Sequence, residues 1–428
     1  MPSYVNPQQS DLLKNIQIGP KFGPQILQKP PVSNSNLSLS RPNNLPDIEQ
    51  GESGLPRIVN YNADQGGCGL WRVIWPSDYL LAYKKATVMN MYQLVLEPYF
   101  YETIDAVKFQ RQCKDNQIKL IQHMRAISNA KKSKNGKNMK ILWEVDDLVA
   151  PANCIPDFNK SKGPFNNEEI MKNLFKLNDL VDEFVVVSDY MKRHYQHYAG
   201  WKNVTVVPNY LPFTWLRNHY SFADKMKQMD DNKKKPRIGY MGSASHFDVK
   251  NNAGQKDDFD HVIDMVHKTK DKYQWVFVGG HPLRLYPLVK SGEIEFHPWV
   301  PIMELHEKVN SLNLQATIAP IMDHPFNRAK SDIKLMESAA LGLPCICQDL
   351  EPYENALFKF NTGQEMIDQI DAALADYDAS VINSYNLTNN RWLHEHLDEH
   401  VLTYMTEYGS EERKKNEWLV KNNTDQFS

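Results

Sequence analysis

The chain has 428 residues, with 49 Lys and Arg against 52 Asp and Glu, a formal net charge of −3, and 41% hydrophobic residues. That length exceeds what one core usually supports, so two domains plus extensions are expected, and the nearly balanced charge excludes a global field for a polyanion, leaving any nucleic-acid contact to a local patch. Five cysteines without framework or ligand spacing point to reduced thiols, and with no leader-like segment and no apolar run of bilayer length the protein is expected to be cytoplasmic and not inserted in a membrane.

Residues 1–55 are rich in Pro, Asn, Ser and Gln, the composition of an extension that stays disordered or wraps over a neighbour. Apolar runs then alternate with helical patterns. Strands are expected at Ile58–Tyr61, Tyr92–Leu96, Ile104–Phe109, Met139–Val145, Phe184–Val187 and Val204–Val207, with helices near 69–85, 112–128, 165–180 and 189–198. Short apolar runs of this kind suit buried parallel strands, so 56–217 reads as a doubly wound domain. The polar stretch 218–235, ending in Lys233-Lys234-Lys235-Pro236, reads as a linker. A second alternating series over 236–360 has strands at Ile238–Gly242, Trp275–Gly279, Ile294–Phe296, Ala316–Ile321 and Cys345–Cys347. Residues 361–428 supply helices near 363–376 and 391–408, long enough to cross back to the first domain. The fold class is therefore α/β, with two Rossmann-like, doubly wound domains.

In such sheets ligands gather at the carboxyl ends of the strands, so the residues just after each strand are the candidates for chemistry. After the first strand come Tyr61-Asn62-Ala63-Asp64-Gln65-Gly66-Gly67-Cys68-Gly69. Gly66 and Gly67 would let backbone amides approach a phosphate or an acceptor, although a plain tight turn explains them equally well. Asp146 and Asp147 end another strand, where paired carboxylates can share a proton, orient hydroxyls or act as base; capping the next turn is the alternative. Two acids alone are weak grounds for a metal, and none is assigned. In the second domain Gly242 and Ser243 suit close approach to phosphate, and His246 could reach a phosphate or an acceptor hydroxyl.

The stretch 326–344 carries the strongest signal. Read as one amphipathic helix, it stacks Lys330, Lys334 and Glu337 at i, i+4 and i+7. Two lysines at the positive end of a helix repel both each other and the macrodipole, which makes sense beside an anion such as a nucleotide diphosphate. Solvated lysines paired with Glu337 are the bland alternative.

Three segments together resemble the GT-B glycosyltransferases of the family 4 type: Val207-Pro208-Asn209, like the family's crossover between domains; Arg237-Ile238-Gly239-Tyr240-Met241-Gly242-Ser243; and Asn327 to Gly342. The resemblance covers roughly 57–410 by organisation and implies two domains facing each other across a cleft. It implies a nucleotide-sugar donor, UDP-linked by expectation, with Glu337 on the ribose and basic groups on the diphosphate. Asn327, Lys330 and Ser331 then stand where the family approaches the donor sugar. The family's first glutamate is replaced by Ala329, which leaves the donor-sugar contact unassigned. Hexosyl or pentosyl transfer with retention, and without a metal or other cofactor, is what the resemblance implies.

The acceptor is the least legible part. The chain is similar in general appearance to bacteriophage glycosyltransferases, some of which decorate hydroxymethylated pyrimidines in DNA. Lys131, Lys132, Lys134, Lys137 and Lys140, the 233–237 basic run, and aromatics at Trp71, Trp75, Tyr79, Tyr99, Phe100 and Tyr101 fit double-stranded DNA as acceptor. A solvated loop and core aromatics explain the same residues. Cell-surface polysaccharide synthesis and a non-catalytic binding protein of the same shape are the alternatives.

Overall fold

The computed structural model describes residues 54–92, 95, 97–135, 138–156, 168–216, 222–247, 256–411 and 413–415, without the side chains of 133–135 and 152. All but the last two residues of the 1–55 extension lie outside the described residues.

Among the described residues, twelve strands form two six-stranded sheets. The first contains β1 (Arg57–Tyr61), β2 (Thr87–Met91), β3 (Ala106–Gln110), β4 (Lys140–Val145), β5 (Glu183–Val186) and β6 (Val204–Val206), in the spatial order β2-β1-β3-β4-β5-β6. The second contains β7 (Arg237–Gly242), β8 (Gln274–Gly279), β9 (Glu295–Pro298), β10 (Ala316–Ala319), β11 (Cys345–Gln348) and β12 (Phe358–Phe360), ordered β12-β11-β10-β7-β8-β9. Every pairing is parallel. Parallel strands covered by helices on both faces are buried on both and mostly apolar; all five residues of β3, Lys108 and Gln110 included, and all four of β10 are buried. In each sheet the strand order reverses once, between β1 and β3 and between β7 and β10. These switch points are where crossover helices diverge to opposite faces and leave a crevice.

The second strand differs from expectation. It is Thr87–Met91 rather than Tyr92–Leu96, of which residues 93, 94 and 96 lie outside the described residues. Its apolar pattern is interrupted by Asn90, whose side chain accepts from Asn60 of β1 (3.2 Å) and from Ser77 of the adjacent helix (2.9 Å). A buried polar group that finds such partners costs little, which is how a polar residue can sit inside a strand. Part of the expected 218–235 linker is the helix Phe222–Asn232, which packs against a further helix, Tyr377–Asn386, absent from the sequence reading. That second helix also covers Ile333–Ala340. Gly342 ends the latter at φ +64°, and any Cβ there would lie 2.3 Å from the Tyr385 ring.

Two segments connect the lobes, and they run side by side. Leu211 N donates to Arg391 O (2.8 Å) and Leu393 N to Leu211 O (2.9 Å). The expected 391–408 helix is thus extended at Arg391–Trp392 before the short turn Leu393–Glu395 and the helix Leu397–Met405. This last helix lies on the first lobe: Tyr404 Oη donates to Asn60 Oδ1 (3.1 Å), and Lys140 Nζ donates to the carbonyls of Thr403 and Thr406 (2.6 Å each).

The outgoing connection is anchored by a buried guanidinium. Arg72, in a π-helical stretch Leu70–Ile74, pairs with Glu144 at the end of β4 (2.7 Å) and donates to Val207 O (2.7 Å) and Asn209 Oδ1 (3.0 Å). Glu144 is fully buried, so removing its partner strands a charge in the interior. Arg72→Ala is expected to cost about 3–5 kcal/mol in urea unfolding. Lys85→Ala, which breaks an exposed pair with Asp398 (2.7 Å), should stay within about 0.5 kcal/mol; similar losses for the two would contradict the assignment.

Candidate functional site

The two switch points face one cleft. Its first-lobe wall includes Gly67, Cys68, Trp71, Asp146, Asp147 and Asn209; its second-lobe wall includes Gly242, Ser243, His246, Lys330, Ser331, Lys334 and Glu337, with Trp299 and Tyr353. Most residues singled out in the sequence therefore meet here, and Gly66 and Asn327 are outside the lining.

On the first wall, the loop after β1 is shaped by its own carboxylate. Asp64 Oδ1 accepts from the amides of Gly66 (2.8 Å) and Gly69 (3.1 Å). The Gly66 amide is thereby spent within the loop, which corrects its expected role toward a ligand phosphate. A Cβ at Gly69 would lie 2.0 Å from Asp64 O, so the loop requires glycine there. Gln110, at the end of β3, braces the same loop through Ala63 N (3.0 Å) and Cys68 O (3.1 Å).

Arg111 follows β3 in the left-handed region, φ +54°. Its guanidinium donates to Asp146 Oδ1 (Nε 2.6 Å), Asp147 Oδ2 (2.9 Å) and Cys68 Sγ (3.0 Å). Burial pushes both carboxyls up; for Asp146 the Arg111 charge and hydrogen bonds win and its pKa falls below the usual range. For Asp147 burial wins, helped by the neighbouring Asp146 charge, and its pKa rises. The pair is therefore divided into an ionised acceptor and a carboxylate with higher proton affinity. Cys68, Asp146 and Asp147 stand close enough to reach one cation. Arg111 already supplies the countercharge on those oxygens.

The second wall departs from the single helix expected over 326–344. Two helices form, Pro325–Arg328 and Ile333–Ala340, and Lys330 lies on the turn between them. The break has a packing cause. Phe326 and Ala329 join the buried core of the first lobe, Ser188 Oγ donates to Ala329 O (2.9 Å), and Arg391 clamps Asp332 (2.7 and 3.0 Å). The turn also carries Ser331, whose Oγ accepts from Asn209 (3.0 Å), so the Arg72–Asn209 chain reaches across to the second wall.

Lys330 and Lys334 both line the cleft, and among the described residues neither has a carboxylate within ion-pair distance. Lys334 Nζ lies 3.1 Å from Tyr240 Oη and 4.4 Å above that ring. Burial, then the charge of Lys330, pushes its pKa down to about 7. Glu337 is pushed up to about 8 by burial, against the pull of Lys334. The start of a helix, two lysines without a described carboxylate partner and a carboxyl whose proton affinity burial raises make a wall suited to an anion.

His246 ends the short turn Ala244–His246 after β7, and its Nδ1 is 2.7 Å from Asp258 Oδ2. Asn327, expected to contact a donor, is instead fully buried, with Nδ2 bonded to Asp258 Oδ1 (2.7 Å) and Met322 O (2.9 Å). Sequence reading missed Arg111, Asp258, Trp299 and Tyr353. Arg111 carried a usable signal, a charged residue directly after an apolar run; Asp258 is twelve positions from its partner and carried none.

Two facing α/β lobes with the cleft between their carboxyl edges constitute the GT-B fold. Anabaena HepE, solved in complex with UDP, shares it at a TM-score of 0.53 and 12% identity, over 82% of this chain and 98% of that one. A glycosyltransferase from Rickettsia africae does so at 0.52 and 14%, with the same coverage of 82% and 98%. No protein-family model matches the sequence, and no curated protein matches it.

Lys334 has a folded pKa below its ordinary 10.5. The unfolded chain therefore binds more protons between pH 7 and 10.5; the cost of burying this amine is full below that window and fades as pH rises through it. Lys334→Met is expected to stabilise the protein by about 1–2 kcal/mol at neutral pH, with the gain shrinking toward pH 10 in urea titrations. A gain independent of pH would contradict the buried cation.

Proposed function

We propose that this chain is a glycosyltransferase that uses a nucleotide-sugar donor. The observation that carries the reading is the pair Lys330 and Lys334, unpaired with any described carboxylate, at the switch point of the second lobe and facing Asp146 and Asp147 of the first. The diphosphate of the donor lies against the two ammonium groups and the start of Ile333–Ala340, and Glu337 meets the ribose. UDP is the nucleotide of first choice, since HepE was solved in complex with UDP. In the reaction an acceptor hydroxyl bonds to the anomeric carbon while the bond from that carbon to the phosphate oxygen breaks. Charge grows on the departing diphosphate and is stabilised by Lys330 and Lys334, without need of a metal ion. The acceptor proton passes to Asp147, the carboxylate with raised proton affinity, which Arg111 holds in place. Retention at the anomeric carbon is part of the proposal, the hydroxyl bonding on the same face of the sugar that the diphosphate leaves.

The acceptor is proposed to be a saccharide or polyol hydroxyl rather than DNA. Of the basic residues that suggested DNA, Lys131, Lys140 and Arg237 lie at the opposite ends of the sheets. Lys131 Nζ donates to Ile104 O, just ahead of β3, and Lys140 opens β4 with its ammonium on Glu183 (2.6 Å). Arg237 likewise opens β7 and pairs with Glu295 (2.7 Å); the side chains of Lys134 and Lys137 lie outside those described. Of the aromatics, Trp75 and Tyr101 are core residues, whereas Trp71 lines the cleft. Among the described residues no helix is long and apolar enough to cross a membrane.

A thermal-shift panel of UDP, GDP, CDP and NAD tests the donor. A ligand at 100 times its dissociation constant adds about 2.7 kcal/mol to stability, and stabilisation by NAD alone would overturn the reading. Lys334→Ala should weaken UDP at least about tenfold while leaving uridine within about twofold, because only the charged diphosphate meets the ammonium. Product mass spectrometry with UDP-sugars against free saccharides and hydroxymethylated duplex DNA decides the acceptor.

A further inference from the structure

On the second wall, Lys330 and Lys334 can only donate hydrogen bonds, and a sugar hydroxyl placed beside them needs an acceptor of its own. His246 is suited to that part. Its Nδ1 is committed to Asp258, while Nε2 has no partner among the described residues, and the ring lines the cleft. The group behind it is unusually complete. Asp258, 5% exposed, receives three donors: His246 Nδ1 (2.7 Å), Met322 N (2.8 Å) and Asn327 Nδ2 (2.7 Å). Burial opposes its charge, but the His246 hydrogen bond, then Lys330 and the Met322 amide, hold its pKa below the ordinary range. An ionised carboxylate only accepts, so the imidazole proton must sit on Nδ1, leaving the lone pair on Nε2.

We propose that Asp258 and Asn327 are positioning residues that fix His246 as a neutral acceptor through Nε2, and that this nitrogen receives a hydroxyl hydrogen of the bound sugar. The identity of that ligand, and nothing else here, rests on the nucleotide-sugar reading. Neutrality follows from burial and from the two lysines that face the ring, against the pull of Asp258. Burial first, then Lys330 and Lys334, depress its proton affinity, and the opposing pull of Asp258 does not recover it, so the pKa falls to about 3. The nearest uncharged titratable neighbour is Tyr240, with ring centroids 6.5 Å apart. Asn327 acts one step further back. It ties Asp258 Oδ1 to Met322 O, so the loop after β7 and the turn after β10 share one carboxylate.

Nitrogen-15 NMR of the histidine side chains in the full chain tests this without any ligand, His246 being assigned by the signal lost in His246→Gln. The expected result is an Nδ1–H tautomer that does not titrate between about pH 8 and 5. In Asp258→Asn the amide can also donate, and the ring should move toward the Nε2–H tautomer. A wild-type Nε2–H ring, or an unchanged Nδ1–H ring in Asp258→Asn, overturns the proposal. Calorimetry with UDP and UDP-glucose as probes supplies the second arm, using Asn327→Ala as a further variant and near-ultraviolet circular dichroism to confirm folding. Both variants should weaken UDP-glucose about tenfold and UDP less than about twofold. Equal losses for the two probes would mark a purely structural role and sink the assignment. If the wild-type protein binds neither probe, the nucleotide-sugar reading falls, and with it the sugar contact, while the tautomer measurement still decides the positioning role.

Discussion

A half-buried ammonium without a described carboxylate in ion-pair reach is the constraint around which this molecule is arranged. Lys334 exchanges part of its water for a phenol oxygen and the face of one ring, at a free-energy cost reflected in its depressed proton affinity. A chain selected only for stability would place an apolar side chain there. The cost makes sense where charge must be matched by something other than the protein, and the neighbouring Lys330 raises it further. Glu337, one turn away and itself driven toward the neutral form, does not relieve it.

Holding such a site requires rigidity on both sides, and the scaffold supplies it through switch-point geometry. Strand ends at β1, β3 and β4 present Gly67, Arg111, Asp146 and Asp147; those at β7 and β10 present His246, Lys330 and Lys334. Each is backed by a buried polar contact, Gln110 beneath the first loop and Asp258 beneath the second. The interlobe chain from Glu144 through Arg72 and Asn209 to Ser331 then sets the two walls relative to each other. Because each link is hydrogen-bonded and largely dry, loss of one is felt along the rest.

Much of the architecture was legible because parallel strands are buried on both faces and announce themselves as apolar runs. Where a strand departed from that rule, reading failed: Asn90 is satisfied by Asn60 and Ser77, a tertiary fact with no local signature. The helix over 326–344 was misread for a related reason. Its periodicity is genuine within each half, but Phe326 and Ala329 are drawn into the opposite lobe, and only contacts distant in sequence reveal the break. Cleft-lining residues that end strands could be read from position alone. Asp258 and Asn327, which touch no cleft and act through His246, have roles that exist only once the chain has folded.

The paired connections between the lobes carry a mechanical consequence. A single flexible strap would leave one body free to swivel and tilt about the other in any direction. Two extended segments, stitched through Leu211, Arg391 and Leu393, resist relative twist much as a pair of door pins does, and leave a single axis of swing along their common direction.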